Sequence, residues 1–143
     1  MAIRTASAQW NGNLQDGNGT MKVGSGAYEG SYSFDSRFGE GKGSNPEELI
    51  GAAHAGCFSM ALSAELSKIG FEPKSVATDA KVSLLKGNDG FEIKSIELTT
   101  KANVPGIDKN KFMEVAEGAK KGCPVSKALK GVEIKLNAHL VSE

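Results

Sequence analysis

The chain lacks a net charge, because its 17 Lys and Arg side chains balance 17 Asp and Glu side chains. A protein without an excess of either sign has no net field that attracts nucleic acid or an anionic membrane surface. The sequence also lacks an uncharged apolar run of about 18 residues, and its first residues lack the apolar stretch of a secretory signal. We therefore expect a cytoplasmic protein that binds neither nucleic acid nor membrane.

Cysteine is scarce, and the two cysteines, Cys57 and Cys123, lie far apart in the sequence. Their separation matches neither a CxxC motif nor the Cys/His spacing of a metal knuckle. In a reducing compartment a permanent structural disulfide would be unusual, so a bridge between them would be transient and catalytic. Two unrelated buried thiols, each serving as a small apolar side chain, are the alternative that the spacing leaves open.

The length of 143 residues is typical of one domain, so we expect a single domain over residues 1–143. Period-2 runs between Gly-rich turns predict strands, and 3.6-residue periodicity predicts helices. The predicted elements are strands over 4–10 and 27–34, a helix over 46–69, a hairpin of 75–86 and 91–104, a helix over 109–122, a short helix from 124 and a strand over 132–141. This order indicates an α+β fold with mainly antiparallel sheets.

The long predicted helix has clear end signals. Asn45 can cap its first turn, and Pro46 suits the position that follows. Glu47 and Glu48 complement the positive end of the helix dipole, and Gly70 ends the helix. Apolar and small side chains extend around most of its surface, more than one domain of this size readily encloses. A homodimer is the simplest way to cover such a helix.

Arginine is as scarce as cysteine, since only Arg4 and Arg37 occur. Arg37 is predicted on the Gly-rich loop just before the long helix. A guanidinium keeps its charge in an apolar site and can bind a carboxylate through two parallel hydrogen bonds, which would hold it over a sulfur. Glu47 lies about 15 Å of helix rise from Cys57, so it can help that thiol only by steering an arginine. The alternative is that Glu47 merely complements the helix dipole.

A nucleophilic thiol must be a thiolate, which a nearby cation or a helix N-terminus favours. Cys123 directly precedes Pro124, so we expect its sulfur at the positive end of a short helix, whereas Cys57 lies in mid-helix and needs an outside cation. His54 shares a helix face with Cys57, which leaves open a cysteine hydrolase with a histidine base. The two thiols with His54 and His139 form a notional metal or ligand set, although the knuckle motif of such sites is missing.

Three stretches of the sequence carry a family resemblance, namely SRFGEGKGSNPEELIGAAHAGCFSMALS, VPGID and KKGCPVSKAL. They resemble the osmotically inducible protein C branch of the OsmC/Ohr family of organic hydroperoxide reductases, and the resemblance covers essentially the whole chain. It implies an OsmC/Ohr-like α+β fold and an intertwined homodimer, in which sheets wrap two long central helices. It also implies a thiol-dependent peroxidase of oxidative and osmotic stress defence.

The resemblance assigns roles to four residues. It makes Cys57 the cysteine that attacks the peroxide and Cys123 the resolving cysteine. The spacing of the two cysteines leaves this order open, and the helix dipole slightly favours Cys123 as the better thiolate. Arg37 matches the arginine that stabilises the thiolate and orients the peroxide, and Glu47 matches the carboxylate that positions this arginine. A sulfenic acid on Cys57, a Cys57–Cys123 disulfide and reduction by an external dithiol are implied, with no metal and no cofactor. Related proteins suggest dihydrolipoyl groups as the dithiol.

Apolar residues near Cys57 predict the substrate preference. Leu49, Ile50, Phe58 and Met60 are candidates to line a cavity beside the thiol. A cavity of this kind binds the R group of an organic hydroperoxide better than it binds hydrogen peroxide. We therefore expect organic hydroperoxides to be the preferred substrates.

Overall fold

The computed structural model describes residues 1–142, which fall into two compact units, with the division in the chain between Leu49 and Ile50. The first unit contains β1 (Ala6–Asn11), β2 (Asn18–Val23), β3 (Glu29–Tyr32), α1 (Phe34–Phe38) and the first residues of α2 (Pro46–Lys68). The second contains the rest of α2, β4 (Ser75–Gly87), β5 (Gly90–Asn103), α3 (Lys109–Gly122), α4 (Pro124–Ala128) and β6 (Glu133–Val141). The predicted α+β class is confirmed.

The first unit is built on an antiparallel sheet of order β1-β2-β3. Gly19 of β2 pairs with Trp10 on one side and with Tyr32 on the other, and the two rings lie 5.3 Å apart. A Cβ atom at Gly19 would lie 2.6 Å from the Tyr32 ring and 2.7 Å from the Trp10 ring. The close approach of the aromatic rings to the strand therefore requires glycine at this position.

Helix α1 differs from the prediction, which continued a strand to residue 34 and placed Arg37 on a loop. The difference follows from a capping box, in which the Ser36 N–H donates to Ser33 Oγ (3.0 Å) and the Ser33 N–H donates to Ser36 Oγ (2.8 Å). The usual box has Glu or Gln at the second position, so a pair of serines is a weak signal in a sequence. Arg37 consequently lies in the last turn of a helix and precedes the Gly-rich loop.

Helix α2 has the predicted ends to within one residue. The Glu48 N–H donates to Asn45 Oδ1 at 2.8 Å, which is the predicted N-cap. At the other end, Gly70 has a φ of 88°, in the left-handed region that favours glycine. Four side chains, each four residues after the last, are fully buried along one face of the helix: His54, Phe58, Leu62 and Leu66.

Helix α2 is also the one helix among residues 1–142 that is long and apolar enough to cross a membrane. The helix meets this criterion by its length and composition only. Core helices of soluble proteins meet the same criterion, and α2 contributes its buried face to a hydrophobic core.

The second unit contains a sheet of order β4-β5-β6. Strands β4 and β5 form the predicted antiparallel hairpin, with Asn88 and Asp89 in its turn, whereas β6 runs parallel to β5. A parallel pair requires a crossover connection, which α3 and α4 provide. The largest buried apolar side chains of this unit are Phe58, Leu62, Leu66, Ile96, Leu98 and Phe112.

The chain turns sharply between α3 and α4, and Cys123 occupies the turn. Helix α3 begins at the predicted cap, because the Lys111 N–H donates to the Asp108 carboxylate at 2.9 Å. Cys123 ends α3 by donating its N–H to the Ala119 carbonyl at 2.9 Å, and it is also the N-cap residue of α4. Pro124 follows at the first helical position, as predicted. The Cys123 sulfur thus lies at a helix start.

Candidate active site

The four residues predicted for the site form two pairs, one in each unit. Arg37 pairs with Glu47 in the first unit, through two hydrogen bonds. Cys57 pairs with Cys123 in the second unit, through their sulfur atoms.

The ion pair of Arg37 and Glu47 has the parallel geometry that suits a guanidinium and a carboxylate. Arg37 Nε donates to Glu47 Oε1 at 3.0 Å, and Arg37 Nη2 donates to Glu47 Oε2 at 2.9 Å. The Glu47 side chain is 10% exposed and the Arg37 side chain 35% exposed, so solvent screens this pair less than a surface pair. Glu47 therefore fixes the orientation of Arg37 in addition to complementing the α2 dipole.

The guanidinium retains donors for a further partner. A guanidinium has five N–H groups, and Glu47 accepts from two of those of Arg37. Within residues 1–142 the remaining N–H groups of Arg37 have no protein acceptor. Together with its partial exposure, this leaves Arg37 able to bind an anion or a peroxide oxygen.

An aromatic cavity of about 210 Å³ lies beside Arg37 in the first unit. The Phe38 ring stacks 5.2 Å below the guanidinium carbon, and its centroid is 4.9 Å from that of Phe34. The cavity is lined by Trp10, Leu14, Tyr32, Ser33, Phe34, Arg37 and Phe38. Its apolar walls and single cation suit an apolar molecule that carries one electron-rich oxygen group.

The residues predicted from the sequence to line an apolar cavity do not line this aromatic cavity: Leu49, Ile50, Phe58 and Met60. Phe58 is fully buried in the core of the second unit, and Met60 is 76% exposed. The sequence analysis missed the aromatic cavity because its walls come from β1, β3 and α1, which only the register of the first sheet brings together.

The two thiols are adjacent and unbridged. Their sulfur atoms lie 2.8 Å apart, and both cysteines are free. Cys57 is half-buried near the middle of α2, and Cys123 is fully buried at the start of α4. The interpretation of two unrelated buried thiols is therefore wrong.

The pKa values of the two thiols are shifted in opposite directions. Burial raises the pKa of Cys57, and the hydrogen bond with Cys123 raises it further, although the Val125 N–H acts in the opposite direction. Burial also raises the pKa of Cys123, but hydrogen bonds with Cys57, with the Ser126 N–H and hydroxyl and with the Val125 N–H outweigh it and lower that pKa. Cys123 is therefore the more acidic thiol of the pair.

His54 makes a hydrogen bond with Ser126 and none with either thiol within residues 1–142. Its Nε2 atom lies 2.8 Å from the Ser126 hydroxyl, and its Nδ1 atom has no hydrogen-bond partner within residues 1–142. Burial lowers the pKa of His54, so the ring is neutral near pH 7. The sequence analysis missed Ser126, although the spacing CPVS places it at the third position of a helix that begins after Cys123.

The rival metal set of two cysteines and two histidines is not assembled. No group of three or more His, Cys, Asp or Glu side chains suited to a metal gathers in the described part of the chain. His139 is exposed on β6, whereas His54 is bonded to Ser126. The histidine that a cysteine hydrolase would need beside Cys57 is likewise engaged elsewhere.

The family model described as OsmC-like protein matches residues 39–137 of this chain. The chain belongs to the OsmC-like family. The match includes Glu47 and both cysteines, and it extends across the boundary between the two units.

Relatives of this OsmC-like protein support the same conclusion. Peroxiredoxin OsmC of Escherichia coli is 49% identical over 140 residues, which cover 97% of each chain. Organic hydroperoxide resistance protein OhrB of Bacillus subtilis is 36% identical over 97 residues, 66% of this chain and 68% of OhrB. A crystal structure of an organic hydroperoxide resistance protein OsmC from Legionella pneumophila has a TM-score of 0.74 at 25% identity and covers 97% of this chain and 99% of its own. The predicted fold and the predicted class, a cysteine-based peroxidase, are confirmed.

The burial of His54 predicts a pH dependence of stability. Its pKa is lowered from 6.5 in the folded protein, so the unfolded chain binds more protons as the pH falls below that value. The free energy of unfolding should therefore decrease as the pH falls from about 7 to about 5. Urea titrations should show a smaller decrease for His54→Gln than for the wild type. His139→Gln, a change at the exposed histidine, should keep the wild-type decrease, and equal decreases in all three proteins would contradict this origin.

Proposed function

We propose that this OsmC-like protein reduces organic hydroperoxides to alcohols, with Cys57 as the attacking thiol and Cys123 as the resolving thiol. The observation that supports the proposal most directly is the 2.8 Å contact between the two sulfur atoms. The names of the relatives, which include peroxiredoxin and organic hydroperoxide resistance protein, support the class of substrate. Oxidative and osmotic stress defence in the cytoplasm is the setting we propose.

The proposed reaction has two chemical steps. In the first, the Cys57 thiolate attacks the peroxide of ROOH, so that an S–O bond forms, the O–O bond breaks and the alkoxide leaves as ROH after taking a proton. Cys57 is then a sulfenic acid. In the second, the Cys123 sulfur attacks the Cys57 sulfur, an S–S bond forms and the hydroxyl leaves as water. An external dithiol, for which dihydrolipoyl groups are our candidate, restores both thiols by exchange.

The acidities of the two thiols indicate what each step requires. The donors of α4 favour a thiolate on Cys123, which is the nucleophile of the second step. The first step needs a thiolate on Cys57, whose pKa is raised within its own unit. We propose that Arg37 supplies the positive charge for Cys57 and binds the peroxide, and that Glu47 holds Arg37 in position. The match to the Escherichia coli relative, which covers 97% of this chain, supports this assignment, and the bidentate pair supports the role of Glu47.

The preference for organic hydroperoxides follows from the aromatic cavity beside Arg37. The cavity offers apolar walls to an R group and the free N–H groups of Arg37 to the peroxide oxygens. Hydrogen peroxide has no R group, so it gains nothing from the aromatic walls. We propose that it is reduced less well.

We further propose that the protein is an intertwined homodimer with one OsmC-like domain over residues 1–143 in each subunit. The match to the Escherichia coli relative extends over 97% of the chain and supports one domain. The dimer is supported by a face of α2 that is exposed in the single chain, although it is formed by apolar and small residues. These residues are Ala52, Ala53, Gly56, Met60 and Ala64. Small side chains allow two helices to approach closely, and Met60 is 76% exposed.

The central test is peroxide consumption in the presence of a dithiol. With cumene hydroperoxide and dihydrolipoamide, the wild type should consume peroxide over many turnovers, and Cys57→Ser should consume none because it lacks the nucleophile. In a separate reaction without the dithiol and with excess peroxide, Cys123→Ser should complete a first turnover and then accumulate sulfinic acid on Cys57, since no thiol is then present to resolve the sulfenic acid. Peroxide loss can be followed with a ferrous dye assay. Equal rates for the wild type and Cys57→Ser would contradict the proposal.

The role of Glu47 can be separated from the effect of negative charge at the start of α2. Glu47→Gln should lower kcat/KM for cumene hydroperoxide by about 100-fold, because Arg37 loses its bidentate partner and its fixed orientation. Glu48→Gln removes the neighbouring exposed carboxylate and should leave kcat/KM near the wild-type value. A similar decrease of kcat/KM in both variants would contradict this role and would indicate that Glu47 acts only by complementing the helix dipole.

The exposed face of α2 can be tested by introducing a charge. Met60→Arg should convert a dimer to a monomer in sedimentation equilibrium, because an arginine would be buried without a partner at the helix contact. Met113→Arg, at an exposed methionine of α3, is the matched control and should remain dimeric. A wild type that sediments as a monomer, or a Met60→Arg variant that stays dimeric, would overturn this interface.

A further inference from the structure

Two hydrogen bonds join α1 to the start of α2 directly beside the Arg37–Glu47 pair. The Ser36 hydroxyl donates to the Ser44 carbonyl at 2.7 Å, and the Asn45 side-chain amide donates to the Ser36 carbonyl at 3.1 Å. Ser36 directly precedes Arg37 and is 6% exposed, and Asn45 lies two residues before Glu47. We refer to these two hydrogen bonds as the Ser36–Asn45 clamp.

The chain between α1 and α2 does not by itself fix the arrangement of the two helices. Helix α1 has five residues, which is too few for a stable isolated helix. The loop after it contains Gly39, Gly41 and Gly43, and glycine gives a chain the widest choice of backbone conformations. Ser44 is bound to β3, since its N–H and its hydroxyl both donate to the Ser31 carbonyl, at 2.8 and 2.9 Å. The clamp therefore fastens α1 to a residue that the first sheet already holds.

The side chain of Asn45 does more than cap α2. Its Oδ1 atom accepts the Glu48 N–H at 2.8 Å, while its Nδ2 atom donates to the Ser36 carbonyl. Both bonds require the same orientation of the amide, because a carbonyl oxygen cannot donate. Asn, Asp and Ser are about equally good N-caps, but only Asn carries an N–H donor beside the capping oxygen. Capping alone thus does not explain asparagine at this position, whereas the bond to Ser36 does.

Ser36 has a corresponding double use at the third position of α1. A capping box usually has Glu or Gln at this position. The Ser36 hydroxyl accepts the Ser33 N–H at 2.8 Å and still has its own hydrogen to donate. The Ser44 carbonyl, at 2.7 Å, is a closer acceptor for that hydrogen than the Ser33 carbonyl, at 3.2 Å. An ionised glutamate has no hydrogen to donate, so the serine completes both the capping box and the clamp.

We propose that Ser36 and Asn45 are positioning residues for the first chemical step, which hold α1 where the Arg37 guanidinium meets both oxygens of Glu47. The inference rests on the proposed function, in which this guanidinium binds the peroxide and supplies positive charge to Cys57. Ser36 and Asn45 do not line the aromatic cavity beside Arg37. Their effect passes through Arg37, because two parallel hydrogen bonds tolerate little change in the distance or angle between their partners.

The experiment measures the first chemical step in the wild type and in Glu47→Gln. Fully reduced full-length protein is mixed rapidly with cumene hydroperoxide, and the second-order rate constant of peroxide loss is determined. Asn45→Ser keeps a capping oxygen and removes the amide donor. Ser36→Ala removes the hydroxyl, and Ser36→Thr keeps one. Each substitution is made alone and together with Glu47→Gln, which gives a double-mutant cycle with the residue that holds Arg37.

The expected result is a loss of rate that depends on Glu47. Asn45→Ser and Ser36→Ala should each lower the rate constant about tenfold, because a displaced guanidinium meets the peroxide in the wrong geometry. Ser36→Thr should stay close to the wild-type value. In Glu47→Gln, where Arg37 has already lost its fixed orientation, Asn45→Ser and Ser36→Ala should each lower the rate constant by less than about twofold, because residues that act through one contact are not additive.

Asp108→Ser is the matched control for the exchange of a helix cap. Asp108 caps α3 in the second unit by accepting the Lys111 N–H at 2.9 Å. Its replacement by serine changes an N-cap as Asn45→Ser does, but away from α1. The rate constant of Asp108→Ser should equal that of the wild type, and urea titrations of all variants report how much stability each cap exchange removes.

Three results would overturn the inference. The first is a wild-type rate constant in Asn45→Ser and Ser36→Ala. The second is a loss of the same size with and without Glu47→Gln, since the clamp would then act independently of the Arg37–Glu47 pair. The third is a Ser36→Thr variant as slow as Ser36→Ala. If Ser36→Ala does not fold, the cycle with Asn45→Ser decides alone.

A failure of the proposed function gives a different pattern. A wild type that consumes no peroxide contradicts the peroxidase itself. A Glu47→Gln variant as fast as the wild type contradicts the role of the Arg37–Glu47 pair. Both results are recognised without any variant of Ser36 or Asn45.

Discussion

The packing of the start of α4 against the middle of α2 is the constraint on which the proposed disulfide formation between Cys57 and Cys123 depends. Two cysteines that are distant in the sequence lie with their sulfur atoms 2.8 Å apart because Cys123 occupies the sharp turn between α3 and α4. The buried face of α2, which includes Phe58 and Leu62, fixes this helix in the hydrophobic core. In the proposed reaction, a sulfenic acid formed at Cys57 therefore lies beside the thiol that resolves it.

The two units contribute different chemistry. The second holds a pair of adjacent thiols in which the pKa of Cys123 is lowered, first by its hydrogen bond with Cys57. The first holds a cation, fixed by the Arg37–Glu47 hydrogen bonds, beside an aromatic cavity. Neither set of groups is sufficient for a peroxidase by itself, because a thiol without a cation is a poor nucleophile and a cation without a thiol is no reductant. The proposed reaction requires both.

Local signals in the sequence predicted the parts that depend on local physics. Asn45 and Gly70 defined the ends of α2, and Cys123 before Pro124 indicated a helix start. The features that were missed depend on tertiary pairing or on weak signals: the parallel pairing of β6, the aromatic cavity and the serine capping box of α1. Ser126 was missed because a serine in the first turn of a helix is common, and only its hydrogen bond with His54 distinguishes it. The pairing of the thiols came from the family resemblance, since spacing left it open.

The central claim is that the adjacent thiols of Cys57 and Cys123 reduce one hydroperoxide to an alcohol and water and are themselves oxidised to one disulfide. The most direct measurement is mass spectrometry of intact and digested wild-type protein after one equivalent of cumene hydroperoxide. The account predicts the loss of both thiol hydrogens and a single cross-linked peptide pair that contains Cys57 and Cys123. Sulfinic acid on Cys57 with a free thiol on Cys123, in protein that began fully reduced, would contradict it.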